Sequence, residues 1–381
     1  MMSSGEKIEL KNLCKVCHSL KFKDVVKFQK CVFSDGHSND IPLIKEECAE
    51  CGTVRTQLKI NLDEFYKVRY KPSRNIDTVA ILDDKVINRS HFIYEWIVSL
   101  IEKEKLKKFK TIFEIGCGQG FLLKKFNIEN KFAIEPSKEA ALQASKIANV
   151  RNIGYIDIKD TEEYDFILSY CVIEHVEDPN YFLEKQYNLL NKNGLMCIAL
   201  PIQDKFNYDL VFADHIHHFN HQNFIKILNK NGFSILNYEL GRGSYTNIGM
   251  YICEKTTKQN VRFEYIENLN IKNTHAIITN IENIIQKYKQ QNLYAFGYGE
   301  IAKTILPYSD IDKYIVNYID DFNNEEKVIH SKEAKNIFRT LKTVNLILLV
   351  NPAHSHKIKN LFNEFKNINF INIFEDIKVK E

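Results

Sequence analysis

The sequence predicts an α/β protein: a doubly wound parallel-sheet domain, with a small cysteine-rich module before it and a second α/β domain after it. Three observations predict this. Five of the nine cysteines fall within the first 51 residues. From about residue 76 to 255, short apolar runs alternate with amphipathic stretches, the pattern of strands buried on both faces and joined by helices. After about residue 256, a helical pattern through Lys289 is followed by the same alternation. The domains read from these shifts are 1–75, 76–255 and 256–381.

With 381 residues, 44% hydrophobic and 27% charged, the chain has enough apolar side chains for a full core. A formal net charge of +3, with basic residues spread along the chain, gives little support for nucleic acid and none for an acidic partner. The first residues hold no apolar run of signal-peptide type, and the longest aliphatic stretch, Leu346 to Val350, is too short to cross a bilayer. These features place the protein in the cytoplasm, where clustered cysteines favour metal over disulfides.

Cys14 and Cys17, then Cys48 and Cys51, form two CxxC pairs thirty residues apart. Two such knuckles bring four thiolates to one tetrahedral Zn²⁺, and Gly52 suits the tight turn that a knuckle needs. A four-thiolate site has no open position for water, so it holds structure and does no chemistry. Cys31 reads as a spare buried thiol, and His18 and His37 as weaker substitute ligands. A redox role for a CxxC pair requires a βαβ context that is absent from this segment. The alternating TVRTQLKI after the second pair reads as a strand.

In the second segment a helix is expected around Ile87 to Lys105, followed by the strands TIFEI, KFAIE, YDFILSY and GLMCIAL. Helical patterns over Phe121 to Phe126 and Ser137 to Ala148 lie between them. TIFEI runs into Gly116, Gly118 and Gly120, where the backbone can turn sharply and lie close to a ligand. Glu135 stands at the end of the next strand, where a carboxylate accepts both hydroxyls of a ribose. That spacing alone also admits a dinucleotide.

The loop EIGCGQG resembles the glycine motif of class I S-adenosylmethionine (SAM)-dependent methyltransferases, and the resemblance runs over residues 111 to 201. It implies that Glu114 helps to hold the methionine part of SAM, that Gly116, Gly118 and Gly120 pass the sugar, and that Glu135 takes the ribose. It also puts Asp157 near the adenine.

The whole layout resembles the three-part C-methyltransferases of nucleotide-linked keto-deoxysugars: zinc module, SAM domain, and a C-terminal Rossmann-like domain that binds the acceptor. LCKVC and CAECGTVRTQL carry this resemblance at one end, and YGEIAK, YIDDFNNEEK and LILLVNP at the other. Such an enzyme needs a base to remove a proton beside a ketone and a group to steady the enolate. Asp214-His215 matches the family's acidic-His pair, which makes His215 the expected base, oriented by Asp214. His175 matches a second histidine facing the acceptor, as polariser or alternate base, and Tyr70 is the best match to a tyrosine that reaches it. Phe212 stands where a tyrosine is expected, and His218 replaces an aromatic. These departures leave O- or N-methylation of a sugar open. His221 reads as a surface residue, and His217 stays open between surface and site.

The competing class is an RNA methyltransferase with a zinc-bearing nucleic-acid module. Residues 1–75 hold fourteen Lys and Arg against ten Asp and Glu, and a four-thiolate zinc site removes half of that excess, which disfavours it. Monomer and homodimer remain equally open.

Overall fold

The computed structural model describes residues 13–57, 61–69, 77, 79–82, 85–159, 161–350 and 355–374. Two compact units emerge: Met1–Val25, Ile44–Asp209 and Asp214–Leu269 make the first, and Val26–Leu43, Leu210–Ala213 and Asn270–Glu381 the second.

Five short strands come first: β1 (Phe22–Phe28), β2 (Cys31–Val32), β3 (Ser38–Asn39), β4 (Leu43–Cys48) and β5 (Val54–Thr56). A hairpin of β6 (Val79–Leu82) and β7 (Lys85–Asn88) leads to the helix Arg89–Ser99. The central sheet then uses β8 (Thr111–Ile115), β9 (Asn130–Ile134), β10 (Asn149–Arg151), β11 (Tyr164–Tyr170) and β12 (Leu190–Pro201). After the two-residue β13 (His217–His218) it is completed by β14 (Phe233–Arg242) and β15 (Tyr245–Lys255).

The order is β10-β9-β8-β11-β12-β15-β14, with β8 to β12 parallel and β15 antiparallel to both of its neighbours. Counted in chain order, this is 3-2-1-4-5-7-6. Alternate residues of each strand go to opposite faces. Phe113, Ile115, Ile167, Met196 and Ile198 enter one core, while Ile112, Phe166, Leu168, Leu195 and Cys197 enter the other with Phe92 and Trp96 of the helix Arg89–Ser99. Two-sided burial is why these strands read as continuous apolar runs.

Cys14, Val16, Cys48 and Cys51 belong to the first of these cores. β4 and β5 pair antiparallel, and β5 also pairs with β13, so the cysteine module shares a sheet with the segment after β12.

The second unit carries the helix Leu269–Tyr288 and a parallel sheet of β16 (Leu293–Phe296), β17 (Ile315–Ile319), β18 (Val328–Ile329), β19 (Val344–Leu348) and β20 (Ile368–Asn372), in the order β18-β17-β16-β19-β20. The three strands expected there are present, and β18 and β20 were not expected.

Two helices differ from expectation. The first stops at Ser99, and a separate turn of helix covers Lys103–Leu106. Phe121 to Phe126 forms a turn and a 3₁₀ helix, Leu123–Lys125, instead of an α-helix.

Candidate active site

In a doubly wound sheet, the crevice for a ligand opens at the carboxyl ends of the strands where the chain order reverses. In this sheet that point lies between β8 and β11. Gly116, Gly118 and Gly120 follow β8, with φ of 73°, 52° and 78°. A Cβ on Gly116 or Gly120 would press on Val172 or Ile147, at 2.8 and 2.7 Å, whereas one on Gly118 would meet nothing within 4 Å. The backbone thus presents one open face at Gly118. Its N–H donates to Glu135 Oε2 at 2.9 Å, and the Ser137 N–H donates to Oε1 at 2.9 Å. Glu114 in β8 is 3% exposed, and its Oε2 has no hydrogen-bond partner among the described residues. Burial, and then the charge of Glu135, hold its carboxyl well above the usual range. An open glycine face, an acid closing the second strand and a buried carboxyl oxygen left over are features that fit SAM. Asp157 ends the 3₁₀ turn Tyr155–Asp157 and is exposed.

The four thiols converge. Cys14 Sγ lies 3.7 Å from Cys51 Sγ, Cys17 Sγ lies 3.5 Å from Cys48 Sγ, and all four are within 4.8 Å of one another. A tetrahedral Zn²⁺ with Zn–S of about 2.3 Å sets sulfur separations of about 3.8 Å, whereas a disulfide needs about 2.05 Å. Each knuckle closes alike, the His18 N–H donating to the Cys14 carbonyl and the Gly52 N–H to the Cys48 carbonyl, both at 2.9 Å. Both closing residues have positive φ, 63° and 74°. At Gly52 a Cβ would fall 1.9 Å from the Ile266 carbonyl oxygen, so no other residue fits. His18 Nε2 faces Lys230 at 2.7 Å and takes no part in the thiol cluster.

The acid–base residues gather beyond β11 and β12. Glu174 and His175 sit on the 3₁₀ turn Ile173–His175, and Asp209 to His218 form the segment that ends in β13. Ligand atoms of Glu174, His175 and His215 lie within 4.8 Å of one another, and the rings of His175 and His215 meet edge to face at 4.5 Å. His175 Nδ1 lies 3.0 Å from the Asp214 carbonyl oxygen and 2.6 Å from Tyr66 Oη. A carbonyl only accepts, so Nδ1 carries the proton and Nε2 keeps its lone pair. Tyr66 donates to Asp214 Oδ2 at 2.9 Å. Burial, then the neighbouring His215 charge, bring His175 down to about 4.

His215 behaves oppositely. Burial pulls it down, but the charge and hydrogen bond of Asp209, with Asp214 and Glu174 adding to them, raise it to about 9. Burial lifts Glu174, 1% exposed, to about 8. At neutral pH the cluster therefore holds a neutral imidazole beside a charged one.

The structure changes several expectations. Asp214, expected to orient His215, instead takes the hydroxyl of Tyr66, and the acid on His215 Nδ1 is Asp209. Asp209 lies on the turn Asp209–Val211, from which its carboxylate reaches both His215 and His218. Tyr70 lies outside the described residues. Tyr66, on the π-helical turn Phe65–Arg69, is the tyrosine whose hydroxyl meets His175. His217 and His221 are buried rather than on the surface: His217 Nε2 meets the Glu177 carbonyl at 3.2 Å, and His221 Nδ1 meets Tyr251 Oη at 2.8 Å. Asp209, Lys45 and Thr56 escaped the sequence reading because nothing in their spacing relates them to the histidines.

Residues 87–238 match the family model described as a methyltransferase domain. The chain is similar to an uncharacterized protein of Methanocaldococcus jannaschii, 33% identical over 129 residues, which are 32% of this chain and 59% of that one. It is also similar to the ubiquinone biosynthesis O-methyltransferase of Pelagibacter ubique, 29% identical over 141 residues, 34% of this chain and 56% of that one. It thus spans a little over half the length of these curated relatives. Among solved structures it resembles a SAM-dependent methyltransferase from Clostridium acetobutylicum, at 14% identity and a TM-score of 0.35, over 44% of this chain and 91% of that one. The middle of the chain is a methyltransferase domain with the class I, SAM-dependent fold.

The His215 ring predicts a pH-dependent stability term. Its folded pKa, about 9, lies above the ordinary value of 6.5, so its stabilisation is whole below pH 6.5 and is lost as pH rises through about 9. Removing one partner of a buried charged pair costs about 3 kcal/mol or more, roughly 6–12 °C in melting temperature for a domain of this size. The wild type should therefore melt above His215→Gln by such a margin at pH 6, with the gap narrowing steadily to pH 9.5. Calorimetric melts showing a constant or widening gap would contradict a raised His215 pKa.

Proposed function

We propose that this chain is a cytoplasmic SAM-dependent methyltransferase with a structural zinc site, and that it methylates the carbon beside the keto group of a nucleotide-linked deoxysugar. The observation that carries the reading is the pairing of His175, neutral with its lone pair on Nε2, with the charged His215, their rings 4.5 Å apart. Carbon beside a ketone needs both a base for its proton and a donor for the oxygen that gathers the charge. The sugar class rests on the three-part resemblance, with residues 256–381 holding the acceptor.

Bound SAM supplies an electrophilic methyl group on a sulfonium. Glu114, the open face of Gly118 and Glu135 would hold it, with Gly116 and Gly120 shaping the loop and Asp157 on the adenine side. His175 Nε2 takes the proton from carbon, and the electron pair left behind spreads onto the keto oxygen, where the Nε2–H of His215 donates. These roles exchange those expected from sequence, since a ring held protonated to about 9 is an acid at neutral pH. Tyr66 and Asp214 lock the tautomer of His175. Cys14, Cys17, Cys48 and Cys51 would hold zinc with no open position and so take no part in the reaction. The alternative is O-methylation, favoured by the name of the Pelagibacter relative.

Three measurements check this. Calorimetry should show SAM affinity falling at least tenfold in Gly118→Val, which fills the open face, and in Glu135→Ala, which removes the ribose acceptor; unchanged affinity in both would refute the donor site. Metal analysis should find one zinc per chain, lost in Cys48→Ser with destabilisation of the fold; full zinc in that variant, or none in the wild type, would rule the metal out. In heavy water, with S-adenosylhomocysteine in place of SAM, the wild type should wash deuterium into the carbon beside the ketone, and His175→Ala should slow this by about 10²- to 10⁴-fold. An O-methyltransferase has no reason to exchange that proton.

A further inference from the structure

Beneath the two site histidines lies a buried set of polar residues that the reaction itself does not use. Lys45 is 0% exposed, and its Nζ donates to Thr56 Oγ1 at 2.7 Å, to the His215 carbonyl at 3.0 Å and to His218 Nε2 at 2.8 Å. Thr56 spends its own hydroxyl proton on the same carbonyl, at 2.6 Å. Burial, opposed by the charges of Asp209 and Asp214, brings the Lys45 amine down to about 7, so it holds His218 by its hydrogen bond and not by a full charge. The lone pair of His218 Nε2 is thereby committed to Lys45, and the ring's one proton sits on Nδ1, 2.5 Å from Asp209 Oδ2. Gln203 Nε2 donates to the same oxygen at 3.2 Å. That leaves Oδ1 of Asp209 for His215 Nδ1. An ionised carboxylate only accepts, so this nitrogen of His215 carries a proton in every state of the ring.

Resting on the functional reading above, we propose that Asp209, His218 and Lys45 are positioning residues. Lys45 fixes the tautomer of His218, His218 fixes which oxygen of Asp209 is free, and Asp209 fixes the proton on His215 Nδ1, so that Nε2 is the atom turned to the acceptor. The charges around His215 agree with this arrangement: Asp209 on its Nδ1, Asp214 and Glu174 nearby, His175 at its edge, and Lys45 on its carbonyl.

The arrangement foretells how Asp209→Asn fails. Two donors, His218 Nδ1–H and Gln203 Nε2–H, hold the position of Oδ2 and will draw the amide oxygen there. The amide NH₂ then faces His215 Nδ1, which must accept. His215 is forced into the Nε2–H tautomer, as happens when the aspartate of a buried Asp-His pair becomes an amide.

Nitrogen-15 NMR of the full-length protein labelled at histidine reads this directly and without turnover, with His215→Gln identifying the signal. In the wild type, His215 should titrate near 9 and emerge above that pH with its proton on Nδ1. In Asp209→Asn it should carry the proton on Nε2 and titrate at least one pH unit lower. In His218→Phe, which leaves Asp209 ionised, the Nδ1–H tautomer should persist, because Asp209 itself sets it, and the wild-type tautomer above its titration decides the matter should Asp209→Asn not fold. A wild-type His215 with its proton on Nε2 above its titration, or a folded Asp209→Asn in which neither tautomer nor titration moves, would overturn the relay. If the relay holds and no methyl transfer is found, the functional reading has failed and the relay has not.

Discussion

A carboxylate buried as deeply as Asp209 remains ionised only where hydrogen-bond donors surround it, and much of the site follows from meeting that condition. Burial by itself raises the Asp209 carboxyl, yet His215 and His218 outweigh it and hold the group well below the carboxylate range. Supplying those donors brings Asp209 against β13, and Lys45 of β4 reaches the far side of His218. His215 and His218 are thus fixed by the charge of Asp209. Removing one member of such a set costs about 3–5 kcal/mol, because it leaves the others buried without a partner.

The same constraint ties the cysteine module to the catalytic domain. Lys45 and Thr56 come from β4 and β5, and the histidines they hold come from β13, which pairs with β5, and from the residues just before it. Cys14, Cys48 and Cys51 pack in the core that lies on one face of the central sheet, and Asn223 Nδ2 donates to the Cys51 carbonyl at 2.7 Å. The thiol cluster therefore fixes the end of β4 and the start of β5, the two strands from which Lys45 and Thr56 support the site. A metal held by those thiols would bear on the site through the two strands.

What was legible in the sequence was local. TIFEI and YDFILSY coincide with β8 and β11, because strands buried on both faces leave an unbroken apolar run. The two CxxC pairs and the glycine loop were legible because their chemistry sits at fixed spacings. The antiparallel pair β14 and β15 was missed, since β14 is mostly only half-buried and gives no such run. The partner of His215 was missed for a different reason. Adjacency in sequence suggested Asp214, whereas the folded turn delivers Asp209 from six residues away, and no periodicity relates Lys45 to His218 across more than 170 residues.

The central claim is that paired histidines of opposite ionisation direct a methyl group to carbon. The most direct test offers the full-length protein SAM carrying a ¹³C-methyl group, together with nucleotide-linked keto-deoxysugars, and locates the label in the product by NMR. The predicted product carries the methyl group on the carbon beside the ketone, with the sugar hydroxyls unmodified. A label found on oxygen would contradict the claim.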